Sequence, residues 1–184
     1  MSTTRRGLLY GAGSLLVLGR SSWARAQEAG AAPRPVAIPD ENRADLEQPP
    51  PRPPPGDAPE RAARLFEAIL ANEPDRASDF FFPRDAFSVL KGIRDPDRYW
   101  QVLYQHYERD IGALHAEIPA GATFARLEMT RRGGWVARRE EANALPYWAS
   151  RHDWIHYRVG ERESRFEVRT LITWGTRWYI THLR

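Results

Sequence analysis

A single carboxylate interrupts an otherwise apolar helical stripe, and that is where this chain invites a chemical reading. Asp110 falls among Leu103, Tyr107, Ile111 and Leu114 at helical spacing. A carboxylate in such surroundings must be paired, hydrogen-bonded or held protonated, because burying it bare is very costly. A carboxyl tuned in that way can act as a general acid or base. A second carboxylate, Asp153, interrupts a strand face that is otherwise apolar and that also carries Thr170 and Thr181. Asp110 and, more weakly, Asp153 are therefore the candidate catalytic residues. Tyr107, Tyr157, Thr170, Tyr179 and Thr181 are the candidate ligand-binding residues around them. The structural alternative is that Asp110 only closes a hydrogen-bond network with Tyr157, Tyr179 or an arginine.

The histidines raise the question of a metal. His152 and His156 lie in a run of strand character, Trp154-Ile155-His156-Tyr157-Arg158-Val159. At about 3.3 Å per residue they stand about 13 Å apart, too far to share one ion with bonds of about 2 Å. No metal site is expected. No Gly-rich phosphate loop, zincin helix or nucleophile-elbow serine is present, and no cofactor is implied.

The elements that would position these residues follow from punctuation and periodicity. Asp57, with Glu60 three residues on, reads as a helix start, and Ala62, Leu65, Phe66, Ile69 and Leu70 form its apolar stripe before Pro74. A short piece from Asp75 to Phe82 carries three successive phenylalanines and ends as a brief strand or turn at Pro83. Asp95-Pro96 is a cap followed by a first-turn proline, and the helix runs to about His115. Tyr99, Trp100, Leu103, Tyr104, Tyr107, Ile111 and Leu114 then fall within an arc of roughly 140°.

Beyond Pro119 the pattern alternates. Phe124 to Arg131 and Trp135 to Arg139 around Gly133-Gly134 predict a hairpin, and Glu140 to Ala149 a connecting loop. Arg151 to Val159, Ser164 to Trp174 and Arg177 to Leu183 predict three further strands, joined by a four-residue loop from Gly160 to Glu163 and a two-residue loop at Gly175-Thr176. That register sets Tyr157 against Phe166, Trp154 against Arg169 and Arg169 against His182. It gathers Ile155, Tyr157, Val159, Phe166, Val168, Thr170, Ile172, Tyr179, Thr181 and Leu183 on a face that packs under the helices. The opposite face, with Trp154, Arg169 and His182, is a candidate homodimer surface. Helices followed by an antiparallel meander make an α+β domain.

In element order and strand character, from about Pro59 to Arg184, the chain resembles the nuclear transport factor 2-like superfamily, which includes ketosteroid isomerase and the polyketide cyclases. The resemblance implies helices packed on a curved antiparallel sheet in a cone-like roll, with a pocket between the long helix and the concave sheet. It also implies that an Asp, or an Asp/His pair, in that pocket can serve as an acid-base. No motif is matched residue by residue.

The N-terminus suggests a destination. Thr4-Arg5-Arg6-Gly7-Leu8-Leu9 resembles the twin-arginine export motif, a weakly apolar stretch follows, and Ala24-Arg25-Ala26 offers a small-x-small cleavage pattern. Residues 1–26 therefore read as a signal, and the apolar run of about 13 residues is too short to leave a stable membrane anchor. A periplasmic or secreted location follows. Residues 27–57, with Pro49-Pro50-Pro51-Arg52-Pro53-Pro54-Pro55, predict a Pro-rich, disordered linker of extended polyproline type.

Composition sets the remaining bounds. The chain has 27 Lys plus Arg against 24 Asp plus Glu. Four of those cations are arginines of the first 26 residues, so 23 remain against 24 anions beyond them. A near-neutral balance carries no electrostatic footprint for nucleic acid. Lys91 is the single lysine among these cations, and there is no cysteine. Disulfides, thiol chemistry and thiolate metal sites are thereby excluded, and the domain of roughly 125 residues must be held by its core. Three functions fit: a non-catalytic domain binding a small apolar ligand or a protein partner, an isomerase, dehydratase or cyclase using Asp110, and an envelope accessory module on a Pro-rich stalk.

Overall fold

The structure is a computed structural model that describes residues 35–43 and 49–184; the export signal expected over residues 1–26 lies outside the described residues. Helix α1 (Ala58–Ala71) is followed by a 3-10 segment (Pro74–Phe80), a short α2 (Arg84–Leu90) and the long α3 (Pro96–Glu117). Five strands follow: β1 (Thr123–Glu128), β2 (Trp135–Val136), β3 (Tyr147–Val159), β4 (Arg162–Trp174) and β5 (Arg177–His182). All five pair antiparallel in one open sheet of order β1-β3-β4-β5, with β2 also on β3. The fold is α+β, helices on a curved sheet. No helix among the described residues is long and apolar enough to cross a membrane.

The helices form for local reasons and stay for packing. Asp95 accepts a hydrogen bond from the Arg98 N–H at 3.0 Å, and Pro96 occupies the first turn, which fixes the start of α3. Leu103, Tyr107, Ile111 and Leu114 then face the core. In α1, Asp57 makes no side-chain cap. Its carboxylate instead joins Arg61 at 2.8 Å and Arg177 at 2.5 Å, and the Arg177 hydrogen bond leads in holding it below the usual carboxylate range. Arg61 is wholly buried, stacks on Phe80 and Tyr179, and donates to the carbonyls of Trp178 and Asp79. Phe81 and Phe82 bridge to Ile180 on the outer edge of β5.

The predicted Gly133-Gly134 hairpin does not form. β1 and β2 run the same way along one edge of β3, interrupted by an excursion over 129–134. Gly133 lies against β3 at φ +102, where a Cβ would come within 2.4 Å of the Ala149 carbonyl oxygen. Only glycine fits so close an approach, so the pair serves backbone contact and not chain reversal.

Two registers also differ from expectation. Val159 pairs with Arg162, so the β3–β4 turn has two residues, and Tyr157 faces Ser164 instead of Phe166. Trp154 faces Glu167 instead of Arg169. That slip is even in number, so the assigned faces survive it. Between β4 and β5 a bulge after Thr170 sets His182 opposite Thr170 instead of Arg169. Bulges of this kind bend a sheet, and a second lies in β1 between Phe124 and Arg126.

The expectation of an unpacked linker over 27–57 does not hold for its described part. The compact unit begins at Pro35. Asn42 is buried, donates to the Pro146 carbonyl at 2.8 Å and accepts from the Gly175 N–H at 2.7 Å. Further on, the indole N–H groups of Trp148 and Trp178 donate to the carbonyls of Pro50 and Pro54, each at 3.0 Å. Arg52 lies over the Trp178 ring and donates to the Thr130 carbonyl and Ser150 Oγ, both at 2.9 Å. A polyproline strand leaves its carbonyls free, and here they are taken by tryptophan.

Candidate functional site

Between α2, α3 and the concave face of β3, β4 and β5 lies a cavity of about 200 Å³. Phe87 comes from α2, Tyr99 and Leu103 from α3, Tyr147 and Arg151 from β3, Thr170 and Ile172 from β4, and Thr181 and His182 from β5. Lys91, just past α2, and Glu141, on the loop before β3, complete the wall. One side is aromatic and aliphatic; the other is polar and carries Lys91, Arg151 and Glu141.

The charged side is tightly connected. Lys91 pairs across an antiparallel bridge with Asn143, and its Nζ donates to Asn143 Oδ1 at 2.6 Å and to the Glu141 carbonyl at 3.3 Å. Glu141 forms an ion pair with Arg151 and accepts from the Tyr147 hydroxyl at 3.0 Å. Burial pushes the Tyr147 phenol well above its ordinary value, so it remains a donor. Burial, assisted by Arg151, lowers Lys91, while Glu141 raises it. His182 is lowered from 6.5, first by burial and then by the positive charges of Arg169, Lys91 and Arg151 and by His106. His182 therefore stands neutral at pH 7, with a ring nitrogen able to accept. Lys91 and Arg151 repel one another across this wall, and the carboxylate of Glu141 offsets that repulsion.

The expected site residues divide. Thr170 and Thr181 line the cavity. Tyr107 is buried and donates to the Ala77 carbonyl at 3.0 Å, and Tyr179 packs between Phe82, Arg61 and Arg177; neither lines the cavity. Asp110 accepts from the Arg184 N–H at 3.1 Å, with Arg109 at 3.8 Å, and ties the C-terminus to α3 outside the cavity. Its partners are thus Arg184 and Arg109, and not Tyr157 or Tyr179. Asp153 is wholly buried, and its Oδ1 accepts from the Thr130 N–H at 2.6 Å and Ser150 Oγ at 2.8 Å. Burial raises its carboxyl above the usual range despite those donors. It follows His152, a non-glycine residue at φ 58 within β3.

A broader, more open groove of about 410 Å³ lies at the end of α3, where Tyr157 lines it beside Leu114, Ile118 and Trp154. Arg165 stacks on Trp154 at 4.1 Å, and Arg184 is already paired with Glu117 at 2.8 Å. Of the three residues expected on a dimer face, Arg169 and Trp154 line this groove while His182 lines the cavity. His152 meets Glu167, and His156 lies between Glu128 and Glu163. Among the described residues no group of three or more His, Asp or Glu is placed to hold a metal ion.

Lys91, Glu141, Tyr147, Arg151 and His182 were not read as site residues from sequence. They come from separated segments, and the sequence marks only Lys91, as the lone lysine in an arginine-rich chain, and His182, on the face expected to lie away from the helices. Compared with protein-family models, with curated proteins and with solved structures, the chain gives no match.

Proposed function

We propose that this chain is an exported, non-catalytic binding protein of the nuclear transport factor 2-like type, which holds a small molecule in the cavity between α2, α3 and the sheet. One observation carries the reading: an aromatic and aliphatic wall faces a polar wall that carries Lys91, Arg151 and their counter-charge Glu141 across about 200 Å³. Sites that combine apolar walls with a few placed polar groups are the usual form of a small-molecule pocket. Since a cavity of about 150 Å³ accepts benzene, this one suits a single ring with a small substituent. Asp110 and Asp153 line neither the cavity nor the groove, which favours binding over an acid-base mechanism centred on them. Export is supported by Arg5-Arg6 and by Ala24-Arg25-Ala26.

Native mass spectrometry of the folded protein isolated from the periplasm of its own host tests the binding reading. The expected result is a retained small molecule on the wild type that is absent from Thr181→Trp, in which an indole fills the cavity. Ligand retained equally by both forms would place binding elsewhere. Replacing Arg5 and Arg6 with lysine, which lacks the planar guanidinium, should hold the protein in the cytoplasm; efficient export of that variant contradicts the twin-arginine reading.

A further inference from the structure

The carboxylate that faces the cations of the cavity belongs to the protein itself. Glu141 binds Arg151 through one oxygen and the Tyr147 hydroxyl through the other. Its side chain is nevertheless about half exposed, at 47%. The loop that brings it there is strained. Arg139, Glu141 and Ala142 have φ of 75, 48 and 58, and none is glycine. Left-handed backbone at such residues is unfavourable and persists only where the surroundings enforce it.

Those surroundings can be named. The Gly92 N–H donates to the Ala142 carbonyl at 2.9 Å, the Ala144 N–H to Leu90 at 2.7 Å, and the Arg139 N–H to Asn143 at 2.8 Å. Asn143 is buried, its Oδ1 is taken by Lys91, and its Nδ2 has no acceptor among the described residues. The loop is thus pinned at its back to the end of α2, while the carboxylate it carries reaches forward over the cavity. A strained segment that delivers a half-exposed carboxylate onto a guanidinium and a phenol is poised to withdraw it.

We propose that Glu141 occupies the seat of a ligand carboxylate, so that the cavity takes a small carboxylic acid with one ring or a short aliphatic body, and the ligand displaces the Glu141 side chain into solvent. The proposal rests on the reading of the cavity as a binding site and adds the ligand's chemical class. With Glu141 swung out, Arg151 offers its planar fork and Tyr147 its hydroxyl to the incoming carboxylate, which are the donors Glu141 now uses. Lys91 stands on the same wall and favours a negative charge. The body of the acid lies against Phe87, Tyr99 and Leu103. A neutral ligand of the same shape could not compete for these donors, so Glu141 also acts as a selectivity filter.

Benzoate and its neutral isostere benzamide, titrated calorimetrically into the full chain and its variants, test this. Glu141→Gln keeps the shape of the side chain and deletes its charge. Benzoate should bind that variant at least tenfold tighter than the wild type, with benzamide little changed, and Arg151→Gln should abolish the preference for benzoate over benzamide. Ala142→Gly eases the loop into the conformation it now holds and, with Glu141 intact, should weaken benzoate binding severalfold. If the two compounds bind alike, or benzoate binds Glu141→Gln no better than the wild type, or Ala142→Gly tightens it, the carboxylate proposal is overturned while the cavity remains a binding site. If neither compound binds any form, both readings fall.

Discussion

Thr170 stands opposite His182 across the β4–β5 pairing, one residue out of step with the pairs from Leu171↔Ile180 to Trp174↔Arg177. That offset places an imidazole beside Thr181 on the cavity wall, within the field of Arg169, Lys91 and Arg151.

The position of His182 makes stability depend on pH with a definite sign. Its native pKa is depressed below the 6.5 of the unfolded chain, so on acidification the unfolded state takes up the proton first. Stability should therefore be full above about pH 6.5 and fall as pH drops through the native pKa. Urea melts between about pH 5 and 8 should show a shallower acid decline in His182→Asn than in the wild type. A wild type that gains stability on acidification relative to the variant would contradict the assignment.

The proline-rich strap should contribute measurably to folding. Arg52→Ala removes two hydrogen bonds and the stack on Trp178, which should cost about 1 to 3 kcal/mol. Arg43, exposed and paired with Asp40 among the described residues, should cost under about 0.5 kcal/mol when replaced by alanine. Equal midpoints for the two variants in urea would mean that the strap does not hold the sheet.

Asp110 should behave as a fastening. Asp110→Asn retains an oxygen for the Arg184 N–H and should cost under about 1 kcal/mol while leaving ligand affinity unchanged. An unchanged melt with lost ligand binding would move the site to α3.

The parts of this fold that were readable carry strong local signals. Asp95, Pro96 and the aromatic stripe specify α3, and alternation specifies the three long strands. The seven-residue α2, enclosed between Pro83 and Pro96, is too short to show a period and went unseen. The bulge after Thr170 adds one residue to a ladder and leaves no mark in composition, yet it moves His182 from the outer face to the cavity. Arg162 and Glu163 look like loop residues because they are charged, although they pair with Val159 and Arg158. The prolines of 49–55 read as a spacer because the partners of their carbonyls, Trp148 and Trp178, lie about a hundred residues away. Thr170 and Thr181 were legible as polar exceptions on an apolar face. The charged wall was not, because Lys91, Glu141 and Arg151 converge only once the loop is pinned to α2.

The central claim is that the cavity beneath α2 and α3 binds small molecules. Backbone amide shifts of the labelled protein, followed by NMR as benzoate is added, test it most directly. The account predicts that the largest changes fall on Tyr147, Thr170, Thr181 and His182 and vanish in Thr181→Trp. Changes centred on Trp154, Arg165 and Glu167, or none at saturating benzoate, would contradict it.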